Sequence, residues 1–340
     1  MPTATALDRS RPRTSAEPSA PGRVLGAGLA LAALATVVWS GSFVTARALH
    51  DSVPPVQHAF WRWIVAIAAL APLGARAAWR ERALLRRHSG HLTLAALLGV
   101  TVYNTLVNQA GLTTSAGTMG MIMAASPVLM ALYERLGGAR LGARRVTGTL
   151  VACAGVVLLV GKGSVGPGFA AGDLWVVGAA VCFGSYSALL RRRPPEIGGV
   201  AFLFATFVLG ALMLLPAYAV SVAVQGGFEV RPGTVGPLLY VGVVSSALAF
   251  FAWNKAIALV GAARAGAVYY LQPVCVALLS YAVLGEAMAP AQVGCMGLIL
   301  AGVVLASASG AYRASSISGS TRPGSEPEGT VPTRRPPIAS

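Results

Sequence analysis

The sequence predicts an all-α membrane protein: ten transmembrane helices arranged as two five-helix repeats inserted in opposite senses. Three observations predict it. Hydrophobic residue types make up 55% of the 340 residues and charged types only 11%, with a mean hydropathy of +0.68; a soluble domain carries roughly 25% charged residues. The chain also divides into ten apolar runs, each long enough to cross a hydrocarbon core of roughly 30 Å. Finally, the second half repeats the first. Asn108 to Pro127, NQAGLTTSAGTMGMIMAASP, returns 146 residues later as Asn254 to Pro273, NKAIALVGAARAGAVYYLQP.

The repetition extends beyond that stretch. Past the proline, Ala154-Gly155-Val156-Val157-Leu158 matches Ala301-Gly302-Val303-Val304-Leu305 at a shift of 147. Before it, Gly41-Ser42 aligns with Gly184-Ser185 and Pro72 with Pro216, at shifts of 143 and 144. Internal repeats in an apolar chain mark a duplicated helical bundle.

Taken in order, residues 1–22 are rich in Pro, Ser, Thr, Ala and Arg without apolar periodicity, and read as a disordered cytosolic arm. A cleaved signal peptide needs a short apolar core ending at a small-residue site; here the first apolar run continues from Val24 to about Ala46. Spans are expected at 24–46, 57–75, 91–110, 115–134 and 146–162, which form a first repeat over 24–162. The second repeat, 171–309, holds 171–190, 197–221, 235–257, 263–284 and 291–309. Most connections are short, so consecutive spans should be antiparallel neighbours. Residues 310–340 return to Ser, Pro, Gly and Arg and read as a second cytosolic disordered tail.

Basic residues test the count. With the amino terminus inside, 22 of the 26 Lys and Arg fall in inner segments, in clusters such as Arg76 to Arg87, Arg135 to Arg145 and Arg191-Arg192-Arg193. Outer loops hold only Lys162 and Arg231, while Arg47 and Arg62 stand at membrane edges. One span more or fewer would scramble this alternation, so both termini are expected in the cytosol, with the chain a multi-pass protein of the cytoplasmic membrane. The net charge of +15 raises the question of nucleic acid. The clusters lack aromatic interleaving and are explained by orientation in the lipid bilayer, so no nucleic-acid partner is expected. Cys153, Cys182, Cys275 and Cys295 lie inside apolar runs with no CxxC pair, so they read as small apolar fillers rather than disulfides or metal ligands. No cofactor is expected.

Five spans per half is an odd number, so the halves must enter the bilayer in opposite senses. Inverted repeats are a recurring plan of secondary transporters, whose sites lie near the midplane between the halves. Exchanging the conformations of two such halves interconverts inward-open and outward-open packings.

Scattered strings add a resemblance. They are Trp39-Ser40-Gly41-Ser42-Phe43, Arg62, Gly172-Asp173, Ala247-Leu248-Ala249-Phe250, Trp253-Asn254-Lys255-Ala256, Gln272-Pro273-Val274, Gly285-Glu286, and Gly294 through Leu305. In this order and spacing, most of residues 24 to 309 resembles the EamA-type members of the drug/metabolite transporter superfamily, with two five-helix repeats. One departure is that Gly138-Ala139-Arg140 stands where the pattern has Gly-Glu-Arg after the fourth span, so Glu286 lacks an acidic counterpart. The resemblance implies a membrane carrier (a permease) moving small metabolites, often exporting amino acids or related compounds.

Candidate substrate-path residues follow from polarity and breaks within spans. Pro127 and Pro273 interrupt spans 4 and 9, each removing a backbone hydrogen bond; Ser126 and Gln272 stand beside them. Such breaks are tolerated in lipid where neighbours or a cavity satisfy the freed carbonyls. Trp39, Ser42 and Thr45 fall on span 1, Tyr103, Asn104 and Asn108 on span 3, Tyr186 on span 6, Trp253 and Asn254 on span 8, and Tyr269 and Tyr270 on span 9. Amide and aromatic groups around a cavity suit a zwitterionic or amphipathic solute. The competing role for each is hydrogen bonding between helices, worth about 0.6 kcal/mol. Arg62, more than one turn into span 2, either pairs with Asp51 or holds a substrate carboxylate; Arg47 reads as an interfacial anchor. Small faces on span 5 (Gly148, Ala152, Gly155) and span 10 (Gly297, Ala301) are expected to pack on each other or at a contact between two copies in a homodimer.

No HExxH, GxSxG or intramembrane aspartate pair occurs, and His50, His58, His88 and His91 fall at membrane edges or loops, so no catalytic residue is expected. The remaining alternatives to a carrier are a sensor or a channel, although neither a charged ring nor a repeated filter loop is present.

Overall fold

The structure, a computed structural model, describes residues 21–124, 126, 143–161, 171–260, 268–269 and 271–317. Among them the regular structure is entirely helical. The first half holds α1 (Pro21–Ala48), α2 (Pro55–Arg80), a short α3 (Arg82–Arg87), α4 (Ser89–Ala96 running on through Leu97–Val102 and Tyr103–Ala110), α5 (Ala116–Met123) and α6 (Ala143–Gly161). The second holds α7 (Ala171–Arg191), α8 (Gly199–Gln225), α9 (Pro232–Leu239, Tyr240–Leu248 and Ala249–Val260), α10 (Gln272–Leu284) and α11 (Pro290–Ile317). The middle stretches of α4 and α9 are π-helical.

Among the described residues five helices are long and apolar enough to cross a membrane: Gly22–Ala48, Pro55–Arg80, Ser89–Ala110, Gly199–Gln225 and Pro232–Ala256. Four shorter apolar helical stretches accompany them, Val146–Leu159, Ala171–Tyr186, Gln272–Leu284 and Pro290–Gly302. α11 continues past Ser309, the expected end of the last span, to Ile317. The chain there, with Ala311, Arg313 and Ala314, keeps good helix formers. The expected amino-terminal arm before Pro21, and the inner part of span 4 with Pro127, lie outside the described residues.

Local chemistry explains the ends. α2 starts on Pro55, where the missing N–H leaves no intrahelical bond unmade. α8 and α10 stop at Gly226 and Gly285, whose φ of 76° and 68° only glycine adopts without strain. Ser115 caps α5 by accepting from Thr118 N at 3.3 Å. Pro72 and Pro216, matched in sequence, each fall inside a helix, and those two helices, α2 and α8, pack on each other.

Contacts between the two halves follow one rule. Match α1 with α7, α2 with α8, α4 with α9, α5 with α10 and α6 with α11. The α1 contact on α9 then has its counterpart in α7 on α4, and α1 on α10 in α7 on α5. α2 against α9 corresponds to α8 against α4, while the pairs α2–α8, α5–α10 and α6–α11 map onto themselves.

The exterior is unlike that of a water-soluble protein. Large apolar side chains face outward, among them Leu73, Leu150, Val157, Leu212, Val220 and Leu278. Buried positions hold Thr36, Ser40, Asn104, Thr206, Ser245, Ser246 and Gln272 beside the apolar core of Phe43, Met119, Met121, Val176 and Val276. An apolar exterior with polar groups turned inward suits a lipid surround, because an unsatisfied polar group in hydrocarbon costs several kcal/mol.

The expected small face of α6 does pack on α11 within the chain. A Cβ on Gly302 would strike the Ala152 backbone and reach Gly148 O at 2.7 Å, and one on Gly155 would reach Ile299 Cγ1 at 2.7 Å. The α11 face is Cys295, Ile299 and Gly302, however, and not Gly297 with Ala301. Gly297 has open space around it and Ala301 is exposed. At about 3.6 residues per turn the two sets lie on nearly opposite sides of the helix.

Candidate functional site

α1, α2, α4, α7, α9 and the start of α10 surround a cavity of about 530 Å³ including its open mouth. α1 contributes Trp39, Ser42 and Phe43; α2 Arg62 and Trp63; α4 Gly99, Tyr103, Asn104 and Val107. From the second half come Phe183 and Tyr186 of α7, Phe250 of α9, then Tyr269 and Gln272.

Its walls are aromatic. Trp39 meets Phe250 edge-on at 5.3 Å between ring centroids and Tyr269 at 6.1 Å, and Trp253 backs Trp39 at 5.2 Å. Phe183 stacks on Tyr269 at 6.1 Å and meets Tyr103 at 5.6 Å. These spacings lie in the range where aromatic pairs attract beyond the area they bury.

The charge is Arg62. It is buried at 7% exposure, with Nε donating to Ser246 Oγ at 2.8 Å and Nη2 to Ser245 Oγ at 3.3 Å. Its guanidinium carbon stands 5.5 Å from the Trp63 ring centroid. Among the described residues no carboxylate lies within ion-pair distance. Asp51, one of its expected partners, instead faces His50, 3.1 Å from Nε2. A buried cation served only by hydroxyls and a ring face is costly, and keeps unmet capacity for an anion. The guanidinium fork suits a carboxylate in particular.

The π-helical stretch of α4 lines the cavity through Gly99, and that of α9 holds Arg62 through Ser245 and Ser246. A π turn displaces carbonyls from their usual i+4 partners and is frequent at functional sites. In α4, Asn104 Nδ2 donates to Gly99 O at 3.3 Å and Val100 O at 3.4 Å, and Trp63 Nε1 adds 3.2 Å to Val100 O. In α9, Ser246 Oγ donates to Val241 O at 2.8 Å, and Trp39 Nε1 donates to Ser245 O at 2.9 Å. Ser42 and Ser245 share a hydroxyl hydrogen bond. Gln272 Oε1, buried in the cavity wall, has no hydrogen-bond donor among the described residues.

Eight of the sixteen sequence candidates therefore line one cavity: Trp39, Ser42, Arg62, Tyr103, Asn104, Tyr186, Tyr269 and Gln272. Trp253 stands behind it. The others are elsewhere. Thr45 bonds to Gly41 O on its own helix at 2.8 Å, and Asn108 donates to Pro55 O at 3.2 Å, joining α4 to α2. Asn254 is exposed on the outer face of α9 and donates to Phe250 O at 2.8 Å. Ser126 returns to Met123 O at 2.7 Å. Pro273 sits in the first turn of α10 rather than within a continuous helix, and the neighbouring Gln272 carbonyl accepts from Ser40 Oγ at 3.4 Å. Pro127 and Tyr270 lie outside the described residues.

Sequence reading missed Phe43, Trp63, Gly99, Val107, Phe183 and Phe250 as lining residues, and Ser245-Ser246 as the partners of Arg62. The serine pair was the available signal, two adjacent hydroxyls within an apolar run. The apolar lining residues carry none. Arg47, read as an interfacial anchor, is an ion-pair partner of Glu286, with Nε 2.9 Å from Oε1.

Among the described residues no three His, Cys, Asp or Glu side chains are grouped to hold a metal ion.

A chain whose regular structure is helical throughout the described residues, with an apolar exterior, matched contacts between its two halves and an aromatic cavity holding one buried arginine, belongs to the class of polytopic membrane proteins. The sequence profile of the EamA-like transporter family matches it twice, over residues 26–161 and 170–308, so the chain belongs to that family. An uncharacterized transporter of Archaeoglobus fulgidus is 26% identical over 75% of this chain and 89% of its own length. A probable terminal-alkyne amino-acid exporter of Streptantibioticus cattleyicolor is 28% identical over 80% of this chain and 90% of its own. A solved crystal structure superposes with a TM-score of 0.58 at 21% identity, over 85% of this chain and 98% of its own, a likeness of fold. The family and these named relatives are transporters, not enzymes.

Proposed function

We propose that this chain is a secondary carrier exporting a small amphipathic or amino-acid-like solute across the cytoplasmic membrane by alternating access. In this reading ten spans form two inverted five-helix repeats, both termini are cytosolic, and the solute occupies the cavity between them. The observation that carries the reading is Arg62, a buried guanidinium facing an aromatic cavity without a carboxylate partner among the described residues. It supplies a site for a substrate carboxylate, with Trp39, Phe183, Phe250 and Tyr269 around the body of the solute. The matched exchange of helix contacts between halves supports two interconvertible packings. The named exporter among the relatives supports amino-acid-like cargo.

Purified protein in liposomes tests it. Growth protection by overexpression against a panel of toxic amino acids and metabolites selects the solute, and counterflow of that solute should be saturable. Arg62→Gln should reduce it at least about ten-fold, as expected for loss of a charge-assisted hydrogen-bond pair. Flux that never saturates would mean a channel, and no flux at all a sensor. A reporter fused after Ser309 that faces the exterior would break the ten-span topology.

A further inference from the structure

Arg47 and Glu286 do more than neutralise each other. Arg47 ends α1, and Glu286 follows Gly285, whose left-handed turn sends the chain back from α10. Their ion pair, Nε to Oε1 at 2.9 Å, ties the first half to the second. Arg47 Nη1 also donates to Gly111 O at 3.0 Å in the turn between α4 and α5. The other carboxylate oxygen of Glu286 accepts from Ala116 N at 3.1 Å, at the start of α5, and from Ser280 Oγ at 2.6 Å. Glu286 thus accepts three hydrogen bonds, and together with Arg47 it holds α1, α5, α10 and the turn between α4 and α5 at one end of the bundle.

That end is closely packed. A Cβ on Gly111 would lie 2.7 Å from Ala46 O, so the turn rests directly on the backbone of α1. On its other side Gly172 N donates to Thr113 Oγ1 at 3.0 Å, and Thr114 Oγ1 donates to the buried Asp173 at 2.9 Å. In the charge-derived topology this is the outer end.

The sequence of the other repeat does not reproduce this pair. At the repeat shift of 147, Gly285-Glu286 falls on Gly138-Ala139; at 143 to 144, Arg47 falls on Leu190 or Arg191. A carboxylate is present in one repeat and replaced by a methyl group in the other. Two inverted halves with identical residues would favour neither packing, whereas a contact that forms only when the outer end is shut favours the packing closed there.

We infer that Arg47 and Glu286 form a latch that closes the outer end of the bundle and biases the resting carrier towards its inward-open packing. This rests on the carrier reading above. Substrate export then requires the network to break, and the latch sets how often the cavity opens outward.

The test reads accessibility directly. Val107 lines the cavity one turn below Gly111. Val107→Cys is placed in a background with Cys153, Cys182, Cys275 and Cys295 replaced, and a membrane-impermeant thiol reagent is applied to intact cells and to inverted vesicles. With the latch intact, labelling is slow from outside and fast from inside; the reverse overturns the inference without any latch variant. Arg47→Gln and Glu286→Gln should each raise outside labelling about ten-fold and lower inside labelling. The double variant should go no further than either single one. Gly111→Ala, which wedges the turn off α1, should act in the same direction. Unchanged rates, or equal rises on both sides, overturn the inference. Labelling that shifts as expected while no solute is transported counts against the carrier reading alone; transport without the shift counts against the latch alone.

Discussion

Ser246 donates its hydroxyl proton to Val241 O at 2.8 Å and accepts from Arg62 Nε at 2.8 Å. One side chain settles two buried demands: a carbonyl displaced by the π turn of α9, and one edge of an unpaired guanidinium. The two bonds reinforce each other, since a hydroxyl that donates becomes a better acceptor. Through Ser246 the backbone conformation of α9 fixes where the positive charge of the cavity stands. A return of Tyr240–Leu248 to regular α-helix would rotate Ser245 and Ser246 relative to α2 and release Arg62.

Ser246→Ala should therefore destabilise the protein and loosen the site together. It leaves Val241 O and Arg62 Nε short of a partner in a buried setting, at a cost of about 1–3 kcal/mol. The purified protein should melt several degrees lower, and the apparent affinity for a transported carboxylate should fall about ten-fold. Ser246→Thr, which keeps the hydroxyl, should recover both. Wild-type melting and affinity in the alanine variant would show that Arg62 is held by something else.

Gly99 and Gly242 occupy matched positions in the two π segments, at the repeat shift of 143. A Cβ on Gly99 would stand 2.5 Å from Tyr186 Cδ2; one on Gly242 would stand 2.5 Å from Val65 Cβ and 3.1 Å from Arg62 O. Neither ring nor branched side chain yields easily in a close-packed interior. Alanine at either site should cost about 1–3 kcal/mol through overpacking. Alanine at Gly90, which has open space around it, serves as the control. Melting curves that rank Gly90→Ala as unaltered and the other two as lowered are expected; equal stability of all three would contradict the helix contacts at the cavity.

The duplication, the helical stretches among the described residues and half of the cavity lining were legible because each leaves a mark along the chain. Repeat spacing survives divergence, apolar runs advertise helices, and Arg62 or Asn104 in such a run stands out as a group needing a partner. Phe183 and Phe250 left no such mark, since an aromatic residue in an apolar helix looks the same whether it faces lipid, core or cavity. The same ambiguity misplaced Asn254. The π segments were hidden as well: Leu97–Val102 and Tyr240–Leu248 have ordinary helical composition, and a π turn moves every following side chain round the axis, so spacing arguments lose phase there. Arg47 looked like an interfacial anchor because its partner lies 239 residues away.

The two asparagines turn that lesson into a measurement. Asn104 spans the π turn of α4, with its amide on Gly99 O and Val100 O, and lines the cavity. Asn254 bonds one turn back to Phe250 O and is exposed on α9. From sequence they are equivalent, each an amide within an apolar run. Asn104→Ala removes the side-chain donor shared by two carbonyls of the π turn, so both stability and transport should fall, the affinity by about ten-fold. Asn254→Ala removes a bond to a carbonyl on its own helix, and the change should stay near the ~0.6 kcal/mol typical of membrane hydrogen bonds, with transport close to wild type. Parallel melting and counterflow measurements on the two variants decide the matter. Equal losses would place Asn254 in the solute path and contradict the orientation of α9 seen here.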